Sequence, residues 1–94
     1  MYIDDVLWMS GIIDKLLAKH GVTQEEVEQV IWNRPRMRWQ ERGHVLGEDL
    51  YAAYGRTDEG RFLVVFFVLK PANGALIVSA RDMDAGERRR HERK

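Results

Sequence analysis

Eleven of the fifteen basic residues in this 94-residue chain are arginine. Arginine grips phosphate or carboxylate with two parallel N–H bonds, whereas lysine acts more as a point charge. Arg56, Arg61 and Arg81 stand at predicted strand ends, where three guanidinium groups can converge on one sheet face, and Arg34, Arg36, Arg38 and Arg42 form a basic stripe. His20 falls at a predicted helix C-terminus, where the helix dipole favours the protonated ring and suits it to donate a proton. Lys19 beside it can hold phosphate. Glu87 can serve as a base or as an arginine's ion-pair partner, and His91 is a second candidate acid. Each has an ordinary structural alternative: His20 and Glu87 as helix caps, Lys19 as a solvated charge, the hairpin-flanking arginines as edge protection.

Composition excludes much other chemistry. The chain has no cysteine, so thiolate nucleophiles, disulfides and cysteine-based zinc sites are out, and His20, His44 and His91 show no metal-ligand spacing. Neither a metal nor a cofactor is expected. The formal net charge of zero hides an asymmetry: residues 1–33 carry six acids against two bases, a net of −4, and residues 34–94 carry the balancing +4. The N-terminus "MYIDDVLW" has acids where a signal peptide has positive charge, and "FLVVFFVL" is far too short to span a membrane. A soluble, cytoplasmic protein is expected. Its length fits one domain over residues 1–94, since domains usually run about 50 to 250 residues. A core of this size favours a surface groove over an enclosed chamber.

The elements that must position these residues follow from periodicity and punctuation. Tyr2 to Trp8 reads as a short strand or the start of a helix, with strand favoured despite its poor alternation. Ser10 offers an N-cap to a helix over Gly11 to His20, where Ile12, Ile13, Leu16 and Leu17 recur at helical spacing and Gly21 ends it. Thr23 and Glu26 have capping-box spacing before a second helix with an apolar stripe of Val27, Val30 and Ile31, stopped by Pro35. The period then changes to two. "RMRWQ" predicts a strand burying Met37 and Trp39, "ERGHVLGED" a loop, and Leu50 to Thr57 a second strand of the meander. Arg61 to Lys70, apolar on both faces, predicts a central strand, and "PANG" a turn with Asn73 and Gly74 at positive φ before a last strand over Ala75 to Arg81. Asp84 and Glu87 repeat the capping-box spacing ahead of "AGERRRHER". That helix has almost no apolar face, and about ten residues are too few to be stable alone, so it is expected to dock through Ala85 and the stems of its arginines.

Three stretches in this order, "KHGVTQEEVEQV", "GRTDEGRFLVVFF" and "SARDMDAGERRRHE", resemble the BrnT-type toxin family, and Trp8 falls where that family has a tryptophan before its first helix. The resemblance covers nearly the whole chain. It implies a RelE-like α+β fold: an antiparallel sheet of about four to five strands, two N-terminal helices and a C-terminal helix. It further implies an endoribonuclease toxin of a type II toxin-antitoxin system, cleaving RNA without metal. The implied partner is a ribbon-helix-helix antitoxin, with DNA reached only through that antitoxin and a homodimer or toxin-antitoxin heterotetramer as the assembly.

Cleavage by 2′-hydroxyl attack needs a base, an acid for the leaving 5′-oxygen, and cations around the phosphorane. The catalytic candidates are His20, Arg56, Arg61, Arg81, which lies in the "SAR" of the family pattern, and Glu87. The RNA-binding candidates are Lys19, Arg36, Arg38, Trp39, Arg88 and His91, with Trp39 and Tyr54 able to stack on bases or to serve as core. Some positions depart from the resemblance. Met9, Ile12 and Leu16 stand where the family usually has Asp, Lys and Asn, Leu76 replaces an arginine, and His91 replaces a closing tyrosine. These departures keep open a non-catalytic member that binds antitoxin or RNA, or a small structural interaction domain.

Overall fold

In the computed structural model, which describes residues 1–45 and 47–93, the chain runs β1 (Asp5–Leu7), α1 (Ile12–His20), α2 (Gln24–Trp32), β2 (Arg36–Glu41), β3 (Leu50–Arg56), β4 (Phe62–Lys70), β5 (Gly74–Asp82) and α3 (Ala85–Arg93). The predicted loop over "ERGHVLGED" includes Leu46, which lies outside the described residues. Five strands form one sheet in the order β1-β5-β4-β3-β2. The α+β class and the antiparallel meander β2 to β5 are as expected. The N-terminal strand adds what periodicity could not show. It pairs parallel to β5, Val6 opposite Ala75, so the sheet is mixed at that edge.

Local chemistry accounts for most boundaries. Thr23 and Glu26 exchange both capping-box bonds: the Glu26 N–H donates to Thr23 Oγ1 at 3.1 Å and the Thr23 N–H to Glu26 Oε1 at 3.0 Å. Gly21 adopts φ 62 and donates to the Leu16 and Leu17 carbonyls, ending α1 as expected. Two expectations need correction. The N-cap of α1 is Gly11 at φ 84, not Ser10, and no side chain caps it. In "PANG" the left-handed residues are Ala72 and Asn73, while Gly74 is already extended at φ −83 because β5 begins there to pair with β1 and β4.

The alternation of the strands sorts side chains onto two unequal faces. On one, α1 and α2 cover Ala53, Leu63, Val65, Phe67, Ala75, Ile77 and Ala80, which join Leu16, Val27, Val30 and Ile31 in the main core. β3 passes beneath α2 at Gly55, where a Cβ would meet Val30 Cγ1 and Pro35 Cβ at 3.1 Å, so the close approach needs glycine. Met37 reaches this core from β2, but Trp39 does not. It lies beyond the helices on the edge strand, 57% exposed, with its indole N–H donating to Asp49 Oδ2 at 3.0 Å. That bond and a backbone N–H from Gly43 hold the Asp49 carboxyl below its ordinary range, the Gly43 bond contributing most.

The opposite face carries a smaller cluster: Ala52, Val64 and Met83, with Tyr54, Phe62 and Phe66 half-buried around it. α3 lies over this cluster without burying any residue of its own. Ala85 is exposed, so it does not anchor the helix as expected. The anchors are Met83 ahead of the helix, the His91 ring edge-on to Phe62 at 6.0 Å, and the Arg88 guanidinium 4.4 Å above the same ring. Phe67, fully buried and stacked on Tyr51, is the largest side chain in the main core. Phe67→Ala should therefore cost about 3 to 5 kcal/mol in urea unfolding, while Trp39→Ala should leave the midpoint nearly unchanged.

Candidate nucleic-acid interface

One carboxylate organises the second face. Glu87 Oε1 accepts from the Asp84 N–H at 2.9 Å while Asp84 Oδ1 accepts from the Glu87 N–H at 2.8 Å, the capping box predicted for this helix. The same carboxylate takes both arms of Arg81, Nη1 to Oε1 at 2.7 Å and Nη2 to Oε2 at 3.0 Å. The Arg81 guanidinium also donates to the Asp82 carbonyl and lies 5.5 Å from the Phe66 ring centre. A bidentate pair of this kind fixes orientation as well as distance. The Arg81 bonds, opposed by partial burial and helped by the Asp84 N–H, hold the Glu87 carboxyl below its ordinary range. Both its oxygens are engaged, which suits it to position Arg81 and α3.

With α3 held there, a groove opens between it and the β2–β3 edge. Its walls are Arg36, Arg38, Tyr54, Glu87, Arg90 and His91. Arg36 and Tyr54 are cross-strand partners, and Arg36 Nη1 donates to the Arg90 carbonyl at 3.4 Å, bridging strand to helix. Among the described residues, Arg36, Arg38 and Arg90 have no carboxylate within salt-bridge distance, because Glu87 is already paired with Arg81. Three arginines lining one groove outside salt-bridge distance of a carboxylate among the described residues can offer guanidinium groups to anionic oxygen.

Of the sequence candidates, Arg36, Arg38, Glu87 and His91 meet in this groove, and Arg81 stands directly behind Glu87. Arg88 and Arg56 sit on the Phe62 ring at the near end, Arg56 at 4.7 Å. Tyr54, a stacking platform or core residue by sequence, is half-buried and lines the groove, and Arg90 joins it as a wall residue that was not among the candidates. A signal for Arg90 exists in its spacing: it lies three residues after Glu87 on α3.

The convergence of three strand-end arginines does not occur. Arg61 projects to the helix side, where it donates to Asp82, to Glu26 and to the carbonyls of His20 and Gly21. The Asp82 and Glu26 carboxylates raise its already high pKa, Asp82 most, and in return Arg61 holds the Asp82 carboxyl below its usual range. The guanidinium thus ties the α1–α2 corner to the end of β5. Lys19 and His20 are exposed at that corner, on the far side from the groove, and Trp39 is also outside it. Among the described residues no three His, Cys, Asp or Glu side chains form a metal-binding cluster.

The element order, the mixed five-stranded sheet and the groove define a small α+β protein with an arginine-lined cleft between its C-terminal helix and the β2–β3 edge. A family model described as the ribonuclease toxin BrnT of type II toxin-antitoxin systems matches residues 8–87. The chain therefore belongs to the BrnT family of ribonuclease toxins, which act on RNA and are paired with an antitoxin. Among solved structures, the crystal structure of the Brucella abortus ribonuclease toxin BrnT is similar with a TM-score of 0.66, covering 85% of this chain and 96% of that one. At 15% identity this likeness shows the fold. No curated protein matches the chain.

The lowered Glu87 and Asp82 carboxyls make a pH prediction. A group whose pKa is lower folded than unfolded stabilises the fold fully above the unfolded value, about 4, and loses that contribution as pH falls through the folded value. Thermal melts of the native chain and Glu87→Gln should differ most at neutral pH, the variant melting lower, and should converge in acid below about pH 4.

Proposed function

We propose that this chain is a metal-independent endoribonuclease toxin, one domain over residues 1–94 of RelE-like type, acting in the cytoplasm. In this reading a ribbon-helix-helix antitoxin restrains it and carries the pair to DNA. The observation that carries the reading is the set of arginines, Arg36, Arg38 and Arg90, that line one groove with His91 and have no carboxylate within salt-bridge distance among the described residues.

The mechanism follows from what those groups can do. Arg36, Arg38 and Arg90 seat the phosphate and stabilise the charge that builds as the 2′-oxygen attacks phosphorus. The bond to the 5′-oxygen breaks, leaving a 2′,3′-cyclic phosphate on one fragment and a 5′-hydroxyl on the other. His91 is the lining group suited to proton transfer: its imidazole takes the proton from the 2′-hydroxyl and delivers it to the leaving 5′-oxygen. Glu87, held ionised by Arg81, acts as a positioning group whose role is to keep α3 over the sheet. Fixed positive charge supplies the larger part of catalysis in this reading.

One observation favours a second reading. Leu16 is buried in the main core and Ile12 packs against it, so the α1 face where the family usually places polar groups serves packing in this chain. That supports a member that binds RNA or antitoxin without cleaving. Induced expression separates the two. The native chain should arrest growth, and the Arg36→Ala/Arg38→Ala chain, at matched soluble level and melting temperature, should not. In purified form the double variant should lower the slope of log affinity against log salt by about 1.4, the share of two phosphate contacts on single-stranded RNA. A folded native chain that binds RNA without arresting growth would establish the second reading.

A further inference from the structure

His91 lines a second groove on its other side. There it meets Asn33, Arg34, Arg56, Asp58 and Gly60, at the corner where the end of α2 approaches the β3–β4 turn. The two grooves have His91 in common among their lining residues, so they adjoin at that residue.

The corner is built tightly. Asn33 Nδ2 donates to the Arg56 carbonyl at 3.0 Å and to Asp58 Oδ1 at 2.9 Å, and the Asp58 N–H donates to Gln29 Oε1 at 3.0 Å. Arg34, next in the chain, is held at φ 52, the left-handed region that disfavours residues with a side chain and is usually filled by glycine or asparagine. A strained position occupied by a long cationic residue is a reason to look for a use of that side chain. Among the described residues Arg34 and Arg56 have no carboxylate within salt-bridge distance, and the one acid in the groove, Asp58, has an oxygen taken by Asn33.

We propose that Arg34 and Arg56 form a second phosphate subsite, which holds the backbone of a single-stranded RNA one or more nucleotides away from the phosphate bound by Arg36, Arg38 and Arg90. This rests on the RNA reading above. A strand passing over His91 would have its reacting phosphate in one groove and a flanking phosphate in the other. The toxin would then bind an oligonucleotide far better than a dinucleotide, which cannot reach both.

The strain at Arg34 makes the test clean. Arg34→Gly and Arg34→Asn remove the cation while supplying residues suited to positive φ, so the melting temperature should hold or rise. Binding of the full chain is measured with 2′-O-methyl RNA, which cannot undergo 2′-hydroxyl attack, as a dinucleotide and as an octanucleotide. For the octanucleotide each variant should lose about three- to tenfold in affinity, and the salt slope should fall by about 0.7, one phosphate contact. Dinucleotide affinity should be unchanged. If Arg36→Ala/Arg38→Ala weakens binding while both Arg34 variants match the native chain on the octanucleotide, the subsite is refuted and the RNA reading stands. If neither set of variants changes RNA binding, the RNA reading itself fails. An Arg34 variant that loses affinity for an acidic protein partner and none for RNA would assign the groove to that partner and overturn the proposal.

Discussion

The Arg81–Glu87 pair is the contact on which the candidate site depends. α3 buries no residue, carries four arginines and a histidine in its 9 residues, and is too short to be helical by itself in water. Hydrophobic burial cannot hold such an element, so its position rests on directional bonds. Glu87 makes them in two directions at once, capping its own helix through Asp84 and gripping the end of β5 through Arg81. Remove that carboxylate and the wall of the groove loses its one ion pair to the sheet among the described residues, leaving Met83, the stacking on Phe62 and the Arg36 bond to the Arg90 carbonyl.

The arrangement also decides which charges remain available. Arginines are distributed over both faces, but the acids are not distributed evenly among them. Arg61 is saturated by Glu26, Asp82 and two carbonyls, and Arg81 by Glu87. The first pins the N-terminal helices to the sheet and the second pins the C-terminal helix. What is left over, on the face that the N-terminal helices do not cover, is a row of guanidinium groups that, among the described residues, have no carboxylate within salt-bridge distance. A chain with no net charge can in this way present a cationic track.

Much of this is legible in the residues where the controlling interaction is local. Both capping boxes, the Gly21 terminus of α1, the central position of β4 and the meander itself are written in spacings of two to four residues. The resemblance to BrnT toxins likewise rests on short ordered stretches. Non-local facts are not legible. The parallel pairing of Asp5–Leu7 with β5 joins segments some seventy residues apart. Trp39 alternates correctly for burial but lies past the end of the helices that would cover it, and Ala85 faces solvent because ion pairing, not apolar contact, sets the rotation of α3. Arg61 groups with Arg56 and Arg81 in the sequence because all three end strands, yet parity along the strands sends it to the opposite face. Which cations are neutralised depends on such pairings, so the place of Arg90 in the groove, hinted at only by its spacing from Glu87, and the pairing of Arg34 with Arg56 at one corner emerge from the fold.

The measurement that tests the central claim most directly is the chemistry of the cut ends. Purified native chain and the Arg36→Ala/Arg38→Ala chain are incubated with single-stranded RNA in a metal chelator, and the fragments are resolved by mass. The native chain should yield fragments ending in 2′,3′-cyclic phosphate, and a variant of equal melting temperature should yield none. Cleavage that stops in chelator, fragments ending in a 3′-hydroxyl, or equal cleavage by both chains would contradict a metal-independent ribonuclease working through the arginine groove.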